Sequence, residues 1–229
     1  MPPALSHPSP PRPVILLLGG PGSGKGTHGQ ALATALGFEH LSSGEHFRDH
    51  IRRETPLGLR AKGFIENGQL VPDDVTLDLV RDMIGGHPSA QGFVLDGYPR
   101  TQAQAEALEA IVPELNCAVT QTLHLAISDD EMVRRLSGRL TCRACGATCH
   151  ETAQPPARPG VCDACGGELF RRADDEPTTI RKRLAVFHRQ IDPLLDFYRE
   201  TGRLEEVAAE GRKQDVSARV VAAAKPSRP

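Results

Sequence analysis

A glycine-rich loop directly after the first apolar segment is the feature that most constrains this fold. The segment VILLL (14–18) has the continuous apolar character of a buried strand, and the loop GGPGSGKGTHG (19–29) joins it to a helical pattern that ends near Gly37. In a Gly-x-x-x-x-Gly-Lys loop between strand and helix, glycines let backbone N–H groups approach phosphate oxygens, and the helix N-terminus adds positive potential. The sequence therefore predicts a phosphate-binding loop, with the Lys25 ammonium on the outer phosphates. An ordinary glycine-rich turn is the alternative.

The residue after the lysine departs from the general pattern. A Ser or Thr usually stands there to hold Mg²⁺, whereas this chain has Gly26 followed by Thr27. We therefore expect Mg²⁺ to be held mainly by the phosphates of the nucleotide and by water. Asp96 closes the apolar segment FVLD and is the predicted carboxylate that orients those waters. A helix or turn cap is the alternative role for this residue.

Composition leaves room for one substantial domain and excludes several classes of protein. The 229 residues are 39% hydrophobic, which is enough for a core, and the formal net charge of -2 gives no general attraction to nucleic acid or membranes. The longest apolar run is too short to span a bilayer, and the proline-rich N-terminus lacks the apolar segment of a secretory signal. We expect a cytoplasmic protein in which residues 1–13 and 223–229 are disordered extensions.

Strand patterns alternate with helical patterns along the chain. Beyond the first strand, strands are predicted at 38–41, 92–97, 122–127 and 204–207, and helices at 42–53, 57–66, 72–84, 101–111, 129–138, 178–200 and 215–224. This alternation predicts an α/β fold with a parallel sheet of about five strands, flanked by helices and binding ligands beyond the carboxyl ends of its strands. Capping-box spacing predicts that Ser42 with Glu45, and Ser128 with Glu131, begin two helices, and Pro193 predicts a kink.

Five of the six cysteines lie between positions 142 and 165. Two Cys-x-x-Cys pairs, each followed by glycine, predict a closed tetrahedral site of the structural zinc type. Its predicted ligands are Cys142, Cys145, Cys162 and Cys165. Disulfides or a chance pattern are the alternatives; Cys149 is interpreted as a free thiol, and His150 is a less favoured replacement ligand.

The function of the cysteine segment has two interpretations. Zinc segments of this size often recognise nucleic acid or protein, but this one lacks interleaved basic and aromatic residues that would stack bases. A small lid that metal holds together, and that excludes water from the cleft, is the favoured interpretation.

Five arginines fall at positions that can face the predicted cleft, where they would neutralise charge on a transferring phosphoryl group. They are Arg100, Arg135, Arg139, Arg172 and Arg183. Arg135 and Arg139 are predicted to share one helix face. Asp174 and Asp175 would hold Arg172 in place or cap the following helix.

Seven segments together resemble the adenylate kinases of the long-lid, zinc-containing bacterial type. They are GGPGSGKGT, SSGEHFR, GQLVPD, GFVLDGYPRTQAQ, SGRLTCRACG, CDACGGELFRRADD and TIRKRL, and the resemblance runs from about Val14 to Val220. It implies the P-loop nucleoside monophosphate kinase fold and reversible phosphoryl transfer from Mg-ATP to AMP, giving two ADP. It also implies a monomer with a core (14–41, 72–137 and 176–222), an AMP-binding insertion (42–71) and a zinc-bound lid (138–175).

The resemblance also implies roles for the residues that match the motifs of the family. ATP would be bound by Gly22, Ser23, Gly24, Lys25, Gly26, Thr27, Arg139, Thr148, Cys149 and the backbone of Gln214. AMP would be bound by Ser43, Arg48, Gln69, Leu70, Val71, Gly97, Tyr98, Pro99, Arg100, Gln104, Arg172 and Arg183. Lys25 and the five arginines would supply catalysis by position and charge, with no obvious general base.

Three residues depart from the family pattern, and two other functions stay open. Leu140 stands where a second arginine is frequent, Cys149 where tyrosine is usual, and Ser43 replaces threonine but keeps the hydroxyl.

The nearest alternative function is that of a nucleoside monophosphate kinase that uses UMP or CMP as acceptor or GTP as donor, although the Gln104 amide favours adenine. The other is a zinc-dependent RNA- or protein-binding module with an inactive nucleotide site.

Overall fold

The computed structural model describes residues 10–225, which form eight strands and eight α-helices. The strands are β1 (Arg12–Gly19), β2 (Glu39–Ser42), β3 (Phe93–Asp96), β4 (Cys117–Ala126), β5 (Arg139–Cys142), β6 (Thr148–His150), β7 (Leu169–Phe170) and β8 (Leu204–Ala208). The helices are α1 (Lys25–Leu36), α2 (Ser43–Arg52), α3 (Pro56–Glu66), α4 (Asp73–Gly85), α5 (Gln102–Ile111), α6 (Asp129–Ser137), α7 (Pro177–Glu200) and α8 (Lys213–Ala223). None of these helices is both long and apolar enough to cross a membrane.

The central sheet has five parallel strands in the order β2-β3-β1-β4-β8, which confirms the predicted fold class. Alternate residues of β1 enter different hydrophobic clusters: Val14 and Leu16 lie in one cluster, and Ile15 and Leu17 in the other. Both faces of this strand are therefore covered, which is why the segment is continuously apolar rather than alternating. The clusters continue into helices α4, α5 and α7 on one face and α1 and α8 on the other.

Register aligns the strand ends that carry the motifs. Asp96, the last residue of β3, pairs with Ser42 at the end of β2 and with Leu17 in β1, two residues before the glycine-rich loop. Because these strands are parallel, the loops that follow them emerge at the same edge of the sheet. The convergence predicted from the sequence is therefore observed.

A second sheet interrupts the α/β pattern between α6 and α7. It is antiparallel, with the order β6-β5-β7, and it carries the cysteine pairs on the turns at its edges. Each pair forms the same turn: the N–H of Gly146 donates to the carbonyl of Cys142 (3.1 Å), and the N–H of Gly166 donates to that of Cys162 (2.8 Å). Both glycines have positive φ, near +75°, a conformation in which a Cβ is strained.

The two predicted capping boxes are wrong. Ser42 and Ser128 are the N-cap residues of α2 and α6, but neither side chain caps its helix. The Ser128 hydroxyl instead donates to Glu210 (2.7 Å), and Glu131 binds two arginines of its own helix. At the start of α6, a long-range partner and charged partners have therefore replaced the local hydrogen bonds that the spacing suggested.

Several predicted boundaries move by a few residues. β1 begins at Arg12, so the predicted extension 1–13 overlaps the sheet; residues 1–9 and 226–229 lie outside the described residues. α6 ends at Ser137, and Arg139 lies on β5. The prediction that Arg135 and Arg139 share one helix face is therefore wrong. α7 is continuous across Pro193.

Two glycines of α3 offer a matched test of its packing. A Cβ at Gly58 would lie 2.3 Å from the His50 carbonyl group, whereas one at Gly63 would meet nothing within 4 Å. We expect Gly58→Ala to lower the free energy of unfolding by about 1–3 kcal/mol through overpacking. Gly63→Ala is expected to raise it by about 0.5–1 kcal/mol, because alanine has the higher helix propensity. Chemical denaturation of both variants measures these changes, and equal effects at the two positions would contradict the packing shown here.

Candidate active site

Two cavities meet at the carboxyl edge of the central sheet. The larger opens beneath the small antiparallel sheet, and the smaller lies between α2, α3 and α7. Four cationic side chains line both cavities at their junction: Lys25, Arg48, Arg100 and Arg183. A junction with this charge is suited to groups that carry several negative charges.

The glycine-rich loop ends at the first residue of α1. Gly22 and Gly24 have positive φ, at 85° and 92°, so the loop requires glycine at these turns. The Lys25 ammonium donates to the carbonyls of Gly19 (2.9 Å) and Gly20 (2.8 Å). Burial lowers the pKa of Lys25 from 10.5 to about 8, although the nearby Asp96 carboxylate opposes this shift. The buried Lys25 ammonium therefore loses its proton at a lower pH than an exposed lysine does.

Most residues predicted for ATP line the larger cavity. They are Gly22, Gly24, Lys25, Gly26, Thr27, Arg139, Thr148 and Cys149. Ser23 is fully buried beneath the loop and sits 3.4 Å from the Lys25 ammonium. Gln214 is exposed and lies outside this lining, where α8 contributes Lys213 and Val216 together with Arg212 before it. Gln214, predicted to contact ATP through its backbone, therefore lies next to residues that line the cavity and is not itself in the lining.

Asp96 is buried at the floor of the larger cavity. Its Oδ2 lies 3.8 Å from His40 Nε2, and a Cβ at Gly26 would come within 3.6 Å of the same oxygen. Gly26 thus keeps the approach to this carboxylate open. The N-cap of the next helix, α5, is Thr101, whose side chain accepts from the Gln104 N–H. Asp96 therefore does not take the alternative role of capping that helix.

The buried carboxylate of Asp175 binds two of the arginines, Arg139 and Arg183. Arg139 donates to both of its oxygens, at 2.7 and 2.5 Å, and Arg183 donates to Oδ1 at 3.1 Å. Arg183 also pairs with Asp174 at 2.9 Å. The prediction that these aspartates hold Arg172 is wrong, because Arg172 donates instead to Thr141 of β5 (2.8 Å). Bidentate pairing fixes the plane of a guanidinium group, so Arg139 is held in one orientation.

Arg135 and Arg100 are anchored on the core side. Arg135 donates to Glu131 (2.7 Å) and to the Ala209 carbonyl (3.0 Å), while Arg100 Nε donates to the Gly97 carbonyl (2.7 Å). Hydrogen bonds from Arg134 and then Arg135 lower the pKa of Glu131 to about 2, so this carboxylate stays ionised. Each arginine is oriented by a partner while its remaining N–H groups stay available.

The residues predicted for AMP gather around the smaller cavity. Those in its lining are Ser43, Arg48, Gln69, Leu70, Val71, Gly97, Pro99, Arg100, Gln104 and Arg183. Tyr98 is buried behind them, and burial raises the pKa of its phenol. Arg172 lines the larger cavity instead. The sequence analysis missed the apolar wall of this cavity, which Phe187, Ile191 and Leu194 of α7 form. The helical spacing of apolar residues within 187–194 is the sequence pattern that could have indicated it.

The four cysteine sulfurs form one cluster. All Sγ atoms lie within 4.8 Å of one another, with Cys142 and Cys165 at 3.5 Å and Cys145 and Cys162 at 3.7 Å. Four ligands about 2.3 Å from a central zinc ion would have sulfurs roughly 3.8 Å apart, so the donor set fits a tetrahedral metal. A Cβ at Gly167 would come within 2.9 Å of the Cys142 sulfur, which explains a glycine at this turn.

Cys149 and His150 stand apart from the sulfur cluster. Burial raises the pKa of the Cys149 thiol, which favours its protonated form. His150 Nε2 lies 3.1 Å from the Arg134 carbonyl, and its Nδ1 accepts from the N–H of Ala153 (3.0 Å). His150 therefore joins β6 to the end of α6 and is not a member of the cluster that could hold metal.

Comparisons with known proteins agree with this geometry. Residues 17–203 match the family model described as adenylate kinase. The chain is 46% identical over 206 residues to an adenylate kinase of Bacillus subtilis (strain 168), covering 90% of this chain and 95% of that relative. It is 46% identical over 209 residues to an adenylate kinase of Acidothermus cellulolyticus, covering 91% and 96%. The chain belongs to the adenylate kinase family.

Membership of the adenylate kinase family confirms the predicted enzyme class. An ATP:AMP phosphotransferase is supported over the other nucleoside monophosphate kinases and over the binding module. His28 is one residue in the adenylate kinase cleft that sequence reasoning missed, although it stands one helical turn after Lys25. It is buried, its Nδ1 lies 2.9 Å from the Ser217 hydroxyl of α8, and burial lowers its pKa to about 4. A neutral His28 thus ties the phosphate-loop helix to α8.

Proposed function

We propose that this member of the adenylate kinase family transfers the γ-phosphoryl group of Mg-ATP to a phosphate oxygen of AMP, giving two ADP reversibly. The observation that carries the proposal is the junction of two cavities at Lys25, Arg48, Arg100 and Arg183. A donor in the larger cavity and an acceptor in the smaller would bring their phosphates together there. Phosphoryl transfer needs mainly such positioning and neutralisation of charge.

On the donor side, backbone N–H groups from Gly22 to Thr27 would hold the ATP phosphates, with the Lys25 ammonium exchanging its loop carbonyls for phosphate oxygens. Arg139, held flat by Asp175, would stack on the adenine. Thr148 and Cys149 of β6 would lie beside it in the lid. Gln214 is exposed and outside the cavity lining, so the backbone from Gly211 to Lys213 would border the adenine in its place.

On the acceptor side, Arg48 and Arg100 would bind the AMP phosphate, and Gln104 would read the adenine edge. Ser43, Tyr98 and the backbone from Gln69 to Val71 would shape the rest of the site, with Gly97 and Pro99 at the mouth. Arg135, Arg172 and Arg183 would balance charge on the transferring group.

Asp96 would orient the water shell of Mg²⁺, because its buried carboxylate faces the open space that Gly26 leaves. Bound with ATP, Mg²⁺ would supply positive charge that stabilises the negative charge on the transferring group. The side chain of Asp96 supplies an acceptor near Lys25, so the pair can hold water and phosphate at adjacent positions.

We infer a core of 14–41, 72–137 and 176–222, an AMP-binding insertion of 42–71 and a lid of 138–175. The lid would exclude water from the phosphates, since water would otherwise compete with AMP for the phosphoryl group. Cys142, Cys145, Cys162 and Cys165 would hold a structural Zn²⁺ that stabilises the lid and takes no part in the chemistry. We further propose a cytoplasmic monomer that binds neither membranes nor nucleic acid.

The test is ADP formation by purified protein from ATP, AMP and Mg²⁺, with UMP, CMP and GMP as competing acceptors. We expect fast transfer with preference for AMP. A faster reaction with UMP or CMP would support the alternative acceptor specificity. No transfer by folded, metal-loaded protein would overturn the proposed reaction.

The lowered pKa of Lys25 predicts how ATP affinity depends on pH. Below pH 8 the free enzyme carries the ammonium that phosphates require; above pH 8 the amine is neutral and must take up a proton on binding. We therefore expect the Kd for ATP to be constant below about pH 8 and to rise up to about tenfold per pH unit above it. Calorimetry in two buffers with different ionisation heats measures the proton uptake directly. Lys25→Met should show no such uptake, and a flat profile in the unsubstituted enzyme would contradict this prediction.

A further inference from the structure

Two partners of opposite character hold the side-chain amide of Gln104. The backbone N–H of Arg100 donates to its Oε1 at 2.8 Å, and its Nε2 donates to Asp73 Oδ1 at 2.8 Å. Gln104 is only 2% exposed, lines the smaller cavity, and has its own carbonyl bound by the Tyr98 hydroxyl at 3.1 Å. The side chain is thus fixed from both ends of its amide.

These partners permit a single orientation of the amide. A backbone N–H can only donate, and a carboxylate can only accept, whereas the two ends of a glutamine amide differ in the same way. Rotating the Gln104 amide by half a turn would place its oxygen against Asp73 and its NH₂ against the Arg100 N–H. Both hydrogen bonds would then be replaced by repulsive contacts to an amide that is itself buried.

The fixed amide keeps one N–H and one oxygen lone pair for a ligand in the smaller cavity. A 6-amino purine offers the matching pair, because N1 accepts and the 6-amino group donates. A 6-oxo purine offers the reverse, since its N1–H donates and its O6 accepts. We propose that Asp73 is a positioning residue that locks the Gln104 amide and thereby selects 6-amino over 6-oxo purine monophosphates. This inference rests on the proposed function, in which Gln104 reads the acceptor base.

The location of Asp73 makes the proposal testable without disrupting the core. It is the first residue of α4, two positions after the cavity-lining Val71, and it is exposed. Its neighbour Asp74 is also exposed and also in the first turn, but it pairs with Arg60 at 2.5 Å. Asp74 is therefore a matched control with the same charge and the same relation to the helix N-terminus.

The experiment compares kcat/KM for AMP and for IMP in the unsubstituted enzyme and in Asp73→Asn. IMP is the chosen 6-oxo acceptor because it differs from AMP only at the edge that Gln104 would read. Asparagine can donate as well as accept, so Asp73→Asn removes the contribution of residue 73 to the lock and leaves only the Arg100 N–H to hold the amide. We expect the AMP-to-IMP ratio to fall about tenfold or more in Asp73→Asn. Asp74→Asn should keep the ratio within about twofold.

The Gln104→Leu variant separates failure of the lock from failure of the proposed acceptor site. If Gln104→Leu loses preference for AMP while folded Asp73→Asn keeps the original ratio, the lock is refuted and the acceptor site stands. If Gln104→Leu is as selective as the unsubstituted enzyme, both proposals are overturned. Thermal melting checks the fold of each variant, and Asp73→Ser, which also donates and accepts, replaces Asp73→Asn if that variant does not fold. Loss of stability alone would lower both rates and leave their ratio unchanged.

Discussion

Replacing Lys25 by methionine is expected to lower kcat for ADP formation about 10³-fold, the usual scale for removing one group that stabilises charge in a phosphoryl-transfer transition state. Methionine has a similar length but no charge, and Lys25 lies where the two cavities meet. Its ammonium is already held toward the junction by the Gly19 and Gly20 carbonyls. Steady-state kinetics with ATP and AMP at saturation gives the value.

Lys62→Met is the matched control for Lys25→Met, because Lys62 is exposed on α3. It should leave kcat within about twofold of the unsubstituted enzyme, as expected for a surface substitution. Lys25 also donates to two carbonyls of its own loop, so thermal melting must show that Lys25→Met is folded at the assay temperature. A folded Lys25→Met enzyme with nearly full kcat would contradict the central role of this residue.

Removing two of the clustered cysteines, in Cys142→Ser with Cys165→Ser, is expected to abolish metal binding and unfold the small antiparallel sheet. Within residues 138–175 the buried side chains are few, and Cys142 and Cys162 are among them. A segment with so small a core relies on its metal for folding. We expect a loss of about 3 kcal/mol, which lowers Tm by roughly 6–12 °C in a chain of this size. Elemental analysis of the purified protein gives the metal content, and calorimetry gives Tm.

Activity should be lost when the small antiparallel sheet unfolds, because Arg139 lies on its strand β5. The central sheet should stay folded, since the two hydrophobic clusters that cover it include no residue of the small antiparallel sheet. Cys149→Ser is the matched control for metal content, as Cys149 lies in the same sheet but outside the sulfur cluster. A double variant that still carries one metal ion per chain would refute the assignment of these ligands.

Local sequence patterns predicted most elements and the position of the site. The loop before Lys25 and the two Cys-x-x-Cys turns are set by short-range requirements, namely positive φ at glycines and ligand spacing. Such requirements are visible within a few residues. The capping box at Ser128 failed for the opposite reason, because a distant glutamate and two charged arginines replaced the local hydrogen bonds.

The amino-acid sequence by itself determined the α/β fold, the phosphate loop, the four-sulfur cluster and the set of arginines at the cleft. Only the tertiary structure decided which partner each of those groups has. Asp175 binds Arg139 rather than Arg172, its near neighbour in sequence, and Asp73 meets Gln104 across 31 positions of the chain. Hydrogen bonds and ion pairs depend on distances of a few ångströms and on direction. Those distances are set by helix and strand packing, which a local pattern does not contain.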